Sequence, residues 1–257
     1  MLFLTVGGPT YCAQLRTLAT NTGASLACTD FGPNGYRGPG QRALRKEDWG
    51  DPAYLAEVAR LPDRLRAGGV RISKLVLVGV SYSGYANAEL LATHPELHPA
   101  ALIVVDSYLD LAARYQALPL HHETRTEMTT VIGGTPATRP DAYAQRSPSH
   151  HLDGLAHAVR SGTRLVVVWS TAARERREFR GATCSRLANA EWLARLAGLL
   201  HRPVVGYVTH LPHAHALWDR GEGLLMLAGI RKTDRPLKAR AVTFQPGAPP
   251  PRSSYCD

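Results

Sequence analysis

The residue best suited to covalent chemistry is a serine in a short turn bounded by glycines. Ser81 stands in the run 79–84, between a buried apolar segment and a helical one. A serine hydroxyl is a poor nucleophile at neutral pH, so it needs a nearby base and a backbone that projects it clear of the sheet. Such a strand-turn-helix needs small residues two positions before and after the serine, here Gly79 and Ser83, and its usual second glycine is displaced by one, to Gly84. We predict that Ser81 is an activated nucleophile, the alternative being an ordinary tight connection.

A histidine beyond the last predicted strand could act as the base. His210, His213 and His215 all lie there, and we predict His215 because it follows the turn-forming Pro212. A His-x-His pair could instead bind a metal ion. No third ligand stands at a characteristic spacing, so we predict no metal site.

The acid that orients the histidine is predicted at Asp106, which ends the apolar strand following the nucleophile strand. In folds that place a nucleophilic serine in a strand-to-helix turn, the acid and then the histidine follow the serine along the chain, and this sequence has that order. A capping role for this aspartate is the alternative. The loop after residues 164–170 offers no aspartate near Ala173, which leaves Glu175 and Asp110 as reserve acids.

Backbone amides near the serine could stabilise negative charge that develops on a substrate oxygen. The first predicted strand runs into Gly7-Gly8-Pro9, and glycine permits close approach of the backbone. Proline has no amide, so we predict Gly8 and Tyr82 as the oxyanion donors.

Strand and helix signals alternate along the chain, which predicts an α/β fold with a mostly parallel sheet and helices on both faces. The predicted strands are 2–6, 25–29, 74–80, 100–105, 164–170 and 203–209. The predicted helices are 12–20, 51–67, 83–94, 187–200 and 220–230.

The organisation predicted from these elements is one domain with an insertion. Residues 1–110 and 161–231 form the predicted core, since the chain has 257 residues of which 44% are hydrophobic. Residues 111–160 lose the regular pattern and are predicted to form an inserted lid. The proline-rich segment 232–257 is predicted to be a tail.

The cysteines and the chain start bear on the cellular compartment. Cys12, Cys28, Cys184 and Cys256 are widely spaced and form no Cys-x-x-Cys pair, so we expect them to be reduced. The apolar start lacks the basic region of a signal peptide, and no apolar run approaches the roughly 20 residues that span a bilayer. These features predict a cytoplasmic protein with no membrane association.

The formal net charge of +9 could attract an anionic partner. The basic residues are scattered, however, and the densest group, at 174–180, is interrupted by acidic residues and has no aromatic stacking platform beside it. We therefore predict no nucleic-acid partner.

Together these residues resemble the thioesterase branch of the α/β-hydrolases, enzymes that release or edit acyl chains on polyketide and nonribosomal peptide synthases. The likeness rests on the first strand and its glycine-rich loop at 2–10, on the Ser81 turn, and on the run 104–108 followed by an insertion. The sequence departs from the family pattern at Val80, where histidine is common, and at Ser83, where glycine is usual.

The resemblance implies an α/β-hydrolase fold with Ser81 as acyl-accepting nucleophile, His215 as base, Asp106 as its orienting acid, and Gly8 with Tyr82 as oxyanion donors. It implies an acyl thioester or ester substrate, release of an acid or a ring, and no metal or organic cofactor. An acidic acyl or peptidyl carrier protein is an expected partner. Two alternatives stay open: a standalone esterase, lactonase or peptidase acting on a small molecule, and a non-hydrolytic descendant that binds a ligand or templates a cyclisation.

Overall fold

Short runs of branched apolar residues form one sheet in the computed structural model, which describes residues 1–7, 9–29, 49–171 and 189–248. Its seven strands are β1 (Leu2–Val6), β2 (Ser25–Thr29), β3 (Leu75–Val80), β4 (Ala101–Val105), β5 (Arg164–Ser170), β6 (Val204–Thr209) and β7 (Arg240–Phe244). The strand order is β2-β1-β3-β4-β5-β6-β7, with every pair parallel except β6 and β7. The predicted mostly parallel sheet is confirmed, and each of the predicted strands lies within one residue of its expected bounds.

Burial on both faces of the sheet explains why these segments are continuously apolar. Leu4 and Leu77 belong to the hydrophobic core on one face, whereas Phe3 and Val76 belong to the core on the other. Successive side chains of a strand point to opposite faces, so a strand covered on both sides needs apolar residues throughout.

Helices cover both faces of this sheet. They are α1 (Pro9–Thr22), α2 (Pro52–Ala59), α3 (Leu61–Ala67), α4 (Tyr82–Thr93), α5 (Leu111–Ala117), α6 (Glu123–Ile132), α7 (Pro140–Ala144), α8 (Leu152–Arg160), α9 (Asn189–Leu200), α10 (His215–Trp218) and α11 (Gly221–Leu227). The predicted helix 51–67 is two helices, because Pro62 has no amide to donate to the carbonyl of Val58. Within the described ranges, no helix is both long enough and apolar enough to cross a bilayer.

The insertion and the tail differ from their predicted extents. The segment 111–160 contains α5 to α8, but α8 packs against α4 and α9 and so belongs to the layer that covers the sheet. The predicted tail 232–257 contributes β7, which pairs with the edge of β6 from Val204↔Phe244 to Val208↔Arg240. This strand covers backbone groups that β6 would otherwise expose.

Two cysteines form a disulfide, so the expectation of reduced cysteines is wrong for this pair. Cys12 lies on α1 and Cys28 on β2, and their Cα atoms are 5.6 Å apart. The helix runs back along the sheet edge, which brings together residues separated by 16 positions in sequence. A cross-link of that span stabilises a protein by about 3 kcal/mol. Cys184 and Cys256 lie outside the described residues.

Candidate active site

Ser81 occupies a strained turn between β3 and α4, as the glycine pattern predicts. Its backbone has φ 53° and ψ −119°, in a left-handed region that is unfavourable for residues other than glycine. The amide of Ser81 donates to the carbonyl of Val105 at 2.9 Å, which ties the turn to the end of β4. Ser81 is only half-buried, so the turn leaves part of this residue exposed at the carboxyl end of the sheet.

Close packing explains both glycines of the turn. A Cβ on Gly79 would lie 2.6 Å from the Ser83 hydroxyl, and one on Gly84 would lie 2.9 Å from the Gly79 carbonyl oxygen. The buried Ser83 hydroxyl accepts the Val80 amide at 2.9 Å and donates to the Val80 carbonyl at 3.0 Å. Ser83 therefore attaches the first turn of α4 to the end of β3. Gly84 allows the backbone of that turn to lie close to the backbone of Gly79.

Asp106 directly follows β4, beside the Ser81 turn, and is 0% exposed. Its backbone is also left-handed, with φ 47°. One carboxylate oxygen accepts the Ser170 amide at 2.6 Å and the other accepts the Ala214 amide at 2.8 Å. The next residue, Ser107, donates its hydroxyl to the carbonyl of Ser81. Asp106 thus does more than cap its own strand, because it anchors the loop that contains the histidines.

The structure brings His213, rather than His215, to this aspartate. His213 Nδ1 lies 3.8 Å from Asp106 Oδ2. His215 is instead the first residue of α10, and its Nδ1 lies 2.8 Å from Asp219 Oδ2. The amide held by Asp106 belongs to Ala214, whose φ of 67° turns the chain between the two histidines.

The predicted contact of His215 with Asp106 is therefore not found. Nor does the structure describe a hydrogen bond from the Ser81 hydroxyl to His213 or His215. The third histidine of this segment, His210, has a different partner, since its Nδ1 lies 3.2 Å from the hydroxyl of Thr171.

The predicted oxyanion donors are described only in part. Tyr82 is the first residue of α4, and its amide lies at the positive end of the helix dipole directly after Ser81. Gly8 lies outside the described residues, as does the reserve acid Glu175. The reserve acid Asp110 accepts the Ala113 amide at 2.8 Å and so caps α5.

A buried aromatic cluster behind Ser81 was not predicted from the sequence. The Trp49 and Tyr82 rings meet edge to face at 5.2 Å, and those of Tyr85 and Tyr108 stack at 5.5 Å. The Trp49 amide donates to the Tyr82 hydroxyl at 3.0 Å. The cluster fixes the first turn of α4 against residues from two other segments, Trp49 before α2 and Tyr108 after β4. Only the fold brings Trp49 and Tyr108 to the two tyrosines of α4, so no local pattern in the sequence marks the whole cluster.

The end of the insertion is attached to α4 by polar contacts. The Tyr85 hydroxyl donates to the Arg146 carbonyl at 2.6 Å, and the Arg146 guanidinium contacts Asp51 at 3.2 Å. One turn along the helix, Glu89 lies 3.4 Å from His151 Nε2. Glu89 is 1% exposed, and its second carboxylate oxygen has no hydrogen-bond partner among the described residues.

This buried carboxyl predicts a pH effect on stability. Burial raises the pKa of Glu89 well above 4.5, although the Arg146 charge opposes the rise. The folded state therefore binds the proton of Glu89 more tightly than the unfolded state does. The resulting contribution to the free energy of unfolding is complete below the pKa of the unfolded state and is lost as the pH rises through the pKa of the folded state. We expect the Tm of the wild type to fall more steeply than that of Glu89→Gln as the pH rises above about 5. Parallel Tm curves would contradict the prediction.

In the described part of the chain, no group of three or more His, Cys, Asp or Glu side chains is arranged to hold a metal ion. The two residues of the suspected His-x-His pair have separate partners, Asp106 for His213 and Asp219 for His215.

The similarity of this chain to known proteins lies in its three-dimensional structure. No family model and no curated protein matches it. It superposes on an acylaminoacyl peptidase from Pyrococcus horikoshii with TM-score 0.57 and 13% identity over 89% of the chain. That match spans only 36% of the length of the peptidase.

Two further structures match with TM-scores above 0.5. MPT51 (FbpC1) of Mycobacterium tuberculosis matches with TM-score 0.54 and 17% identity, over 90% of this chain and 89% of that protein. A hormone-sensitive lipase from a metagenome library matches with TM-score 0.51 and 18% identity, over 89% and 74%. The parallel sheet, the strained serine turn after β3 and these superpositions together show that the chain has the α/β-hydrolase fold.

Proposed function

We propose that this protein is a serine hydrolase that forms an acyl-enzyme on Ser81. The observation that supports this most directly is the juxtaposition of two strained residues at neighbouring strand ends. Ser81 follows β3, and Asp106 follows β4 and holds the histidine loop through the Ala214 amide. Backbone strain of this kind persists only where the surrounding structure enforces it, and it concentrates at functional sites.

In the proposed mechanism the Ser81 hydroxyl attacks the substrate carbonyl carbon while its proton passes to His213. Asp106 holds the histidine loop and stabilises the imidazolium that forms. The amides of Tyr82 and Gly8 stabilise the oxyanion of the tetrahedral intermediate. The imidazolium then protonates the departing thiol or alcohol, and water or an internal nucleophile releases the acyl group by the reverse steps.

Within this class we propose a thioesterase or cyclase that releases an acyl chain in polyketide or peptide biosynthesis. Support comes from the position of Asp106 after the strand that follows the nucleophile strand, and from the helices α5 to α7 inserted directly after it. The positive net charge of +9 would suit an acidic carrier protein.

A standalone esterase, lactonase or peptidase is the second candidate. It is favoured by two of the superposed structures, which are named as a peptidase and a lipase. Such an enzyme would act on a free small molecule and need no carrier protein.

The two candidates separate in a substrate comparison. Acyl thioesters of N-acetylcysteamine and nitrophenyl esters of the same acyl groups would be assayed side by side, with Ser81→Ala as the blank. A thioesterase is expected to have the higher kcat/KM on the thioesters. A strong preference for the esters would overturn the thioesterase assignment and leave the serine hydrolase in place.

We also propose that the protein works in an oxidising cellular compartment. The Cys12–Cys28 disulfide favours an oxidising environment over the cytoplasm expected from the sequence, because cytosolic reductants keep most thiols reduced.

A further inference from the structure

A buried asparagine bridges the nucleophile helix and the first strand. Asn87 lies on α4 and is 0% exposed, and its Oδ1 accepts the amide of Val6 at 2.9 Å. Val6 is the last residue of β1, directly before the glycine-rich loop. The contact therefore joins the helix that begins next to Ser81 to the strand that leads into the predicted oxyanion loop.

The sheet register explains why Val6 needs this partner. The Leu2 amide donates to Lys74 before β3, so alternate amides of β1, including that of Val6, face β3. Pairing between β1 and β3 ends at Leu4↔Leu77. Beyond that point the strands part, and Asn87 supplies the acceptor that β3 no longer offers. On the other side of β1 the Gly7 amide donates to the Thr29 hydroxyl at 3.3 Å.

The parting of β1 and β3 lies at the place where an α/β sheet forms its ligand crevice. Helix α1, which follows β1, packs on one face of the sheet, and helix α4, which follows β3, packs on the other face. Where the helices after two adjacent strands lie on opposite faces of the sheet, a crevice opens outside the carboxyl ends of those strands. Ser81 and Gly7 are the residues that follow β3 and β1 there.

The other half of the Asn87 side chain indicates that this residue is not present for stability alone. Its Nδ2 is buried and has no hydrogen-bond partner among the described residues. Burying an unpaired amide is unfavourable relative to an apolar side chain. Among the described residues, the hydrogen bond to the Val6 amide is the contact of this side chain that offsets the cost.

We infer that Asn87 is a positioning residue, which holds the end of β1 at a fixed distance from the Ser81 turn so that the oxyanion loop is aligned for reaction. The inference rests on the proposed function. Misplacing an oxyanion donor weakens transition-state binding more than substrate binding, so the effect should fall on kcat rather than KM.

Three variants test this role. Asn87→Ala removes the acceptor and is expected to lower kcat by about 10-fold to 100-fold with little change in KM. Asn87→Asp keeps an acceptor oxygen and is expected to recover much of that loss. Thr163→Val is the matched control, because it deletes another buried hydrogen bond, to the Pro99 carbonyl at 2.9 Å, at the opposite end of the sheet. It should lower Tm and leave kcat unchanged.

Hydrogen exchange of the Val6 amide adds a readout that does not depend on turnover. Asn87→Ala should speed its exchange, whereas Thr163→Val should not. The role of Asn87 is overturned if Asn87→Ala keeps the wild-type kcat, or if Thr163→Val lowers kcat equally. If the wild type shows no Ser81-dependent turnover of esters or thioesters, the proposed function is wrong. In that case the exchange rate of the Val6 amide still reports whether Asn87 holds the end of β1.

Discussion

Replacing Ser81 with alanine is expected to lower turnover of activated esters or thioesters by about 10,000-fold or more. The substitution removes the only atom that can form the acyl-enzyme in the proposed mechanism, and losses of this size accompany removal of a serine nucleophile elsewhere. Steady-state kinetics on the purified protein would measure the loss. Labelling with a fluorophosphonate probe, followed by peptide mapping, should place the adduct on Ser81 in the wild type.

The control for this variant is fold integrity. Alanine at a left-handed position is as strained as serine, so circular dichroism and Tm should stay near those of the wild type. If turnover survives in Ser81→Ala, covalent catalysis at this residue is excluded. The chain would then fit the remaining alternative, a non-hydrolytic descendant of the fold that binds a ligand or templates a cyclisation.

Replacing His213 with alanine is expected to cost about 1,000-fold or more in kcat, whereas His215→Ala should stay within about tenfold of the wild type. The two residues form a matched pair, since each is a partly exposed histidine within 4 Å of an aspartate. Only His213 lies beside Asp106, which is buried and attached to the strand ends around Ser81. His215 pairs with Asp219 on the short helix α10, at the surface.

A larger loss of kcat in His215→Ala than in His213→Ala would identify His215 as the base, as the sequence predicts. In that case Asp219, rather than Asp106, would be the orienting acid, and Asp219→Asn should lower kcat as well. Equal and small effects from both histidine variants would exclude general-base catalysis from this loop. Tm values for each variant separate catalytic loss from unfolding.

Much of the architecture follows from the sequence because its signals are local. β3 and β4 are buried on both faces, so each is a continuous apolar run that ends where the sheet ends. The serine turn is largely local, since a Cβ on Gly79 or Gly84 would meet atoms within a few residues of Ser81, although one on Gly84 would also meet the Ser107 hydroxyl. Strand bounds and the nucleophile turn could therefore be predicted without knowledge of the fold.

The edge of the sheet formed by β7 was harder to predict from the sequence. β7 is a short strand whose pairing with β6 depends on a partner more than thirty residues away, as in Val204↔Phe244. The Cys12–Cys28 bond likewise depends on how α1 returns along β2, and cysteine spacing alone does not encode that path.

The choice between His213 and His215 shows most clearly what only the tertiary structure decided. The sequence by itself placed a serine, an aspartate and a group of histidines at the carboxyl ends of parallel strands. Which imidazole meets the carboxylate depends on the Ala214 amide binding Asp106, a contact between residues 108 positions apart. A shift of one or two residues in that contact would exchange the histidines, and no local pattern fixes it. Long-range backbone hydrogen bonds of this kind arise from the packing of whole elements, so they enter only with the fold.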